Sequence, residues 1–231
     1  LPSCPIGAFE EVRQLEASLD GRTIYIADRG CADNTGDCFS NVKAYLRDPA
    51  TSVLSEGRGS SPATYGTGPF AVKGGAGTVY QVDSEVGTIS VFKRIEATGL
   101  KRVQCLWPRS NRGFSRCVPT PAMRRATAIA LSPDGRLLVT GVRDKGWATL
   151  ALFARARNGK LSFRRALPPV KGLGVAKIDQ LEFAANGRSL YAVGGRNPGE
   201  PRILTRFKVN AKRGRVAFAQ CLAAGTHRLC D

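Results

Sequence analysis

Histidine is almost missing from this chain: 231 residues contain one, His227, alongside a single methionine and two tryptophans. Triad and metal-histidine mechanisms need other groups converging on such a residue. His227 lies in a short loop between Cys221 and Cys230 and reads as a surface residue. Long apolar runs are missing too; the longest are a few residues, against the roughly 20 that a membrane-spanning helix requires. No basic-then-apolar leader opens the sequence, so the reading is a soluble or at most peripheral protein. Neither GxGxxG nor GxxxxGK[ST] occurs in a strand-to-helix setting, which excludes a nucleotide-binding fold and implies no cofactor. Carboxylates number 18 against 35 lysines and arginines, and the formal charge of +17 favours acidic partners whatever the fold.

What is present begins with turn residues and cysteine. The chain has 26 glycines, 13 prolines and seven cysteines, with 42% hydrophobic residues, a normal content for a globular core. Cys31 with Cys38, Cys105 with Cys117, and Cys221 with Cys230 each flank a short loop, and none has the CxxC spacing of zinc or thioredoxin-type sites. Three local disulfides and an oxidising, exported setting follow, secreted or at the cell surface or periplasm. A cleaved leader would explain why residue 1 is leucine. Cys4 is left over.

A repeat organises the chain. Glu16-Ala17-Ser18-Leu19-Asp20-Gly21-Arg22-Thr23-Ile24-Tyr25 reads like Ala130-Leu131-Ser132-Pro133-Asp134-Gly135-Arg136-Leu137-Leu138-Val139, and again like Phe183-Ala184-Ala185-Asn186-Gly187-Arg188-Ser189-Leu190-Tyr191; a degenerate copy spans Val72 to Tyr80. The Asp-Gly or Asn-Gly pair is expected to supply the positive φ angles of a tight hairpin turn. Downstream of each copy comes an alternating run with an aromatic near its end, Tyr45, Phe92, Phe153 or Phe207, and then a fourth β-prone run. This predicts an all-β chain of four units of four short antiparallel strands, the sequence image of β-propeller blades. The units span about residues 10–60, 66–121, 122–169 and 175–231 of a single domain.

Ser132-Pro133-Asp134-Gly135-Arg136 before an apolar strand, and Tyr45-Leu46-Arg47-Asp48-Pro49-Ala50-Thr51 at a later hairpin, resemble the YVTN or lactonase-like β-propeller repeats of bacterial secreted proteins. The resemblance implies a propeller and says little about chemistry, since that superfamily holds lactone hydrolases, binding proteins and members without assigned activity. It also implies rings of six to eight blades, whereas four units are visible. Three explanations stay open: a processed piece of a longer propeller, a half-ring completed by another chain, or a compact four-bladed ring. Cys4 precedes the first repeat as Cys117 precedes the third, which suggests half of an outer-loop disulfide whose partner lies upstream.

Candidate chemistry divides between the axis and the rim. Glu10, Glu11, Asp179 and Glu182 fall near or on innermost strands, where lactonase-like and related propeller enzymes gather metal ligands or acid-base groups. Asp33, Asn34 and Asp37 pack oxygen ligands around a glycine in the loop between Cys31 and Cys38, a turn that could take Ca2+, although the spacing is not that of an EF-hand.

The charge distribution points to the rim: residues 122–231 hold 21 basic and 6 acidic side chains, and the first 121 hold 14 and 12. Arg155, Arg157, Lys160, Arg164 and Arg165 occupy one outer hairpin; Arg206, Lys208, Lys212, Arg213 and Arg215 occupy its counterpart in the next blade. A basic outer wall is expected. Phosphate neutralisation would attract nucleic acid to it, but aromatics total 7% and form no stacking ladder. An acidic glycan, an anionic envelope polymer or an acidic protein surface fits better. The functional expectation is an exported propeller acting as a binding or assembly module, through this wall or through end-blade contacts with a protein partner, a second copy or the rest of a processed parent chain. The alternative is a lactonase-like hydrolase using the central channel.

Overall fold

The computed structural model describes residues 11–18, 21–31, 38–56, 64–65, 70–73, 77–83, 87–95, 99–109, 117–121, 125–144, 147–168, 175–195 and 202–223. They form four sheets set in a ring, a four-bladed β-propeller. Blade 1 runs in chain order through β1 (Glu11–Ala17), β2 (Thr23–Cys31), β3 (Cys38–Arg47) and β4 (Leu54–Glu56), with β5 (Thr64–Tyr65) pairing the other half of β3. Blade 2 comprises β6 (Phe70–Lys73), β7 (Thr78–Asp83), β8 (Thr88–Ile95) and β9 (Gly99–Pro108). A fifth strand, β10 (Val118–Thr120), lies parallel to the end of β9. Blade 3 is β11 (Ala126–Leu131), β12 (Leu137–Asp144), β13 (Trp147–Arg155) and β14 (Leu161–Ala166). Blade 4 is β15 (Lys177–Phe183), β16 (Ser189–Gly195), β17 (Ile203–Asn210) and β18 (Arg215–Ala223).

The turn from first to second strand is built alike in blades 1, 3 and 4. Gly21, Gly135 and Gly187 donate their N–H to the carbonyls of Ser18, Ser132 and Ala184 and adopt φ of +64, +67 and +67°. In blades 3 and 4 only the glycine of the pair is left-handed, which corrects the expected pair of positive φ angles there. The residue before it acts through its side chain: Asp134 and Asn186 accept the N–H of Arg136 and Arg188, two positions on. Ser18 and Ser132 add a hydroxyl acceptor for the N–H of Thr23 and Leu137.

Blades are buried on both faces where they have neighbours. Tyr25, Ala27, Val42 and Ala44 pack on Val79, Phe92 and Leu100 of blade 2. The other face of blade 2, with Tyr80, Val82, Ile89 and Val91, packs on Ile129, Leu138 and Phe153 of blade 3. Ala130, Val139, Leu150 and Leu152 of blade 3 pack on Leu181, Leu190, Ile203 and Phe207 of blade 4. The third-strand aromatics Phe92, Phe153 and Phe207 are thus buried at successive seams, each worth about 2–3 kcal/mol of apolar burial. Among the described residues no core cluster joins blade 4 to blade 1.

Cys105 and Cys117 form the expected disulfide, and it ties β10 to β9. Cys221 is disulfide-bonded as well. Cys31 and Cys38 stand opposite each other where β2 and β3 meet the hairpin. Cys4, Cys230, His227, Glu10 and the Asp33, Asn34 and Asp37 loop lie outside the described residues.

Candidate functional site

Alternation along β13 divides the first basic hairpin. Arg155 is two residues beyond buried Phe153 and so shares its inward face. Half-buried, it donates from Nε to the Tyr80 hydroxyl of blade 2, 2.5 Å away, and that hydroxyl donates to the Gly159 carbonyl at 2.8 Å. Arg155 therefore joins blades 2 and 3 instead of lining the outer wall. Burial pushes the Tyr80 pKa up, with the Arg155 charge and hydrogen bond pulling the other way. Arg157, Lys160, Arg164 and Arg165 are exposed. Leu152 pairs with Arg165 and Phe153 with Phe163, so Arg164 is the extra residue of a β-bulge, and two consecutive arginines reach solvent.

The second hairpin is fully on the surface. Arg206 and Lys208 alternate with buried Thr205 and Phe207 along β17 and project from the face of blade 4 turned away from blade 3. Lys212, Arg213 and Arg215 are exposed in the β17–β18 turn and the start of β18, where the Arg213 N–H donates to Asn210 Oδ1 at 3.0 Å and Gly214 takes φ +58°. Beside this hairpin the blade 4 turn at Asn186 and the blade 3 turn at Asp134 bound an open groove whose lining residues include the four cationic residues Arg188, Arg206, Lys208 and Lys212 and one carboxylate residue, Asp134. Ser189, Asn186 and Asn210 add neutral polar groups to its wall. Such a groove offers charge-assisted hydrogen bonds to a chain of sulfate, phosphate or carboxylate groups. Arg188 is the member that the hairpin reading missed, because it belongs to an Asn-Gly turn; its position directly after that turn, on the same end of the blade as Lys212, is the signal.

Of the predicted axial carboxylates, Asp179 and Glu182 have described side chains, and these have different partners. Glu11 lies in β1, while Asp179 is the bulge residue of β15 and forms ion pairs with Lys177 at 3.3 Å and Arg202 at 3.0 Å. Glu182, on the innermost strand β15, has Glu16 of blade 1 in electrostatic reach, and its pKa is raised, first by burial and then by the Glu16 charge. The two are equivalents, each opposite a second-strand tyrosine, Glu16 opposite Tyr25 and Glu182 opposite Tyr191. No cluster of three metal-ligating side chains occurs among the described residues. An apolar cavity between blades 3 and 4, rimmed by Trp147, Leu167 and Phe207, measures about 30 Å³, one water's share of volume rather than a substrate's. No helix among the described residues is long and apolar enough to cross a membrane.

No family model matches the sequence, and no curated protein matches it. Solved structures match the fold. The chain is similar to the periplasmic gluconolactonase PpgL of Pseudomonas aeruginosa, at 23% identity and a TM-score of 0.64 over 93% of this chain and 55% of that one. It is also similar to a protein of unknown function from Desulfotomaculum acetoxidans (13%, TM-score 0.66, 93% and 56%) and to a 6-phosphogluconolactonase candidate from Bacteroides fragilis (17%, 0.62, 92% and 55%). The chain spans about half the length of these structures. At these identities the likeness establishes the architecture, a β-propeller fold, and leaves chemistry to the residues.

Proposed function

We propose that this chain is an exported, disulfide-stabilised propeller that works by binding, and that the basic side of blades 3 and 4 takes an anionic polymer, a glycan or envelope polymer carrying sulfate, phosphate or carboxylate groups. The observation that carries the reading is the groove between the Asn186 and Asp134 turns, with Arg188, Arg206, Lys208 and Lys212 on its walls. The exposed Arg157, Lys160, Arg164 and Arg165 extend the same sign of charge onto the outer strand of blade 3. The Cys105–Cys117 bond and the bonded Cys221 support an oxidising compartment. Within this reading the repeats are placed with the YVTN type on their Ser-Pro-Asp-Gly-Arg motif.

Affinity for a sulfated hexasaccharide and for polyphosphate, measured against salt, tests the reading. Contacts that release counterions weaken steeply as salt rises. Reversing Arg188, Arg206 and Lys208 to Glu is expected to abolish binding at moderate salt, and reversing Arg164 and Arg165 to make the salt dependence shallower. Binding indifferent to salt and to both sets would overturn it.

A second reading, a lactonase-like hydrolase at the axis, is favoured by one observation: Glu182, its pKa raised first by burial and then by the Glu16 charge, lies in electrostatic reach of Glu16. Two carboxyls in electrostatic reach on innermost strands, one with its pKa raised, are the starting point of acid-base chemistry. Turnover of a sugar lactone that disappears in Glu182→Gln would support it, and absence of turnover would end it.

A further inference from the structure

Aligning the blades by their hydrogen-bond register shows that blade 4 breaks a rule the other three keep. The second and third strands of each blade share one facing pair at an equivalent position: Tyr25 with Ala44, Tyr80 with Val91, and Val139 with Leu152 in blades 1 to 3. All six of these residues are buried against the following blade. In blade 4 the pair is Tyr191 with Arg206, and both are exposed, the tyrosine at 36%. A guanidinium in place of Ala, Val or Leu suits solvent and a polar ligand, because burying it in an apolar seam without a partner is costly.

The register extends the pair into a row across the sheet. Glu182 of β15 is paired with Tyr191 on the inner side, and Gln220 of β18 with Arg206 on the outer side. Leu181, Leu190, Phe207 and Cys221 belong to the core shared with blade 3, so the alternating row projects from the opposite face. One row nearer the turns, Ser189 is paired with Lys208, and both line the basic groove together with Arg206. Tyr191 therefore stands about 5 Å across the strands from Arg206 and about 7 Å along β16 from Ser189, directly beside the groove. This row discriminates among polyanions. An exposed aromatic ring gains by covering the apolar C–H face of a sugar ring, whereas a phosphate chain has no such face. Glu182 closes the inner end of the row as an acid, an unfavourable neighbour for a chain that is anionic at every unit. A ligand with its charges over the groove and a neutral ring over Tyr191 meets both conditions.

We propose that the polymer taken by the basic groove is a glycan bearing sulfate or carboxylate groups, and that Tyr191 is a sugar-stacking subsite at the groove's edge. The charged groups lie over Arg188, Arg206 and Lys208, and the bound segment ends on Tyr191, short of Glu182 and the axis. This rests on the polyanion-binding reading above and names the class of ligand within it; polyphosphate meets the same cations but gains nothing from Tyr191.

Titration calorimetry on the full, unreduced chain, with a sulfated hexasaccharide and with polyphosphate of the same total charge, tests it. Tyr191→Ala should weaken the hexasaccharide about tenfold and leave polyphosphate at its wild-type affinity. Tyr191→Phe keeps the ring and should bind the hexasaccharide as the wild type does. A loss shared equally by the two ligands, or hexasaccharide affinity unchanged in Tyr191→Ala, overturns the subsite. A wild-type chain that binds polyphosphate and not the hexasaccharide overturns it too while the basic groove stands; a chain that binds neither ends both readings. Should Tyr191→Ala fail to fold, nuclear Overhauser contacts in the wild-type complex decide: contacts between sugar-ring protons and the Tyr191 ring are expected, and their absence overturns the subsite.

Discussion

Arg155 carries a charge into the seam between blades 2 and 3, and the Tyr80 hydroxyl is the acceptor that makes this tolerable. Removing the hydroxyl leaves the guanidinium without it, so Tyr80→Phe should cost about 1.5–3 kcal/mol in denaturant unfolding. Arg155→Met, which replaces the charge by an apolar chain of similar length, should cost less. Equal losses would mean that the hydroxyl is not what holds Arg155. Glu182 sets a second test. Its folded pKa lies above the ordinary 4.5, so the stability tied to its protonated form is complete below that value and is lost as pH rises through the folded pKa. Glu182→Gln should therefore match the wild type in acid and exceed it near neutrality, read as melting temperature across pH. Sequence alternation was enough to put Arg155 on the Phe153 side of its strand, but grouping charges by hairpin obscured it. Asp179 was beyond reach in the sequence, because a bulge between Ile178 and Gln180 changes the face on which it falls.

Strand pairs and turns were the most legible elements, since the Gly21, Gly135 and Gly187 turns depend on local chemistry that the sequence states directly. The parallel strand β10 was not legible: a three-residue strand held by the Cys105–Cys117 bond has no periodicity of its own. On the outer edge of blade 1, β4 falls on the fourth β-prone run that the sequence shows, whereas the two-residue β5 was too short to have any periodicity. Packing between blades leaves a sharper mark. A Cβ on Gly141 would stand 2.8 Å from Ile178 Cβ, where β12 meets the first strand of blade 4. Gly141→Ala should destabilise by about 1–3 kcal/mol through overpacking. At Gly21 an added Cβ would meet no atom within 4 Å, so the cost of alanine comes from φ alone and should be smaller, about 1 kcal/mol. Paired urea titrations separate the two causes.

For the whole molecule, charge and packing are distributed unevenly. The apolar seams run without a break from blade 1 to blade 4, while the positive excess sits on blades 3 and 4, away from Glu16 and Glu182 at the axis. A protein that binds through this side should carry its ligand on the rim and leave the axis undisturbed. Hydrogen exchange with and without a sulfated hexasaccharide, at low salt, reads this most directly. The account predicts slowed exchange at residues 185–189 and 208–215, at the groove, with the strands at the axis unchanged. Protection confined to β1 and β15 around Glu16 and Glu182, or no protection anywhere on blades 3 and 4, would contradict it.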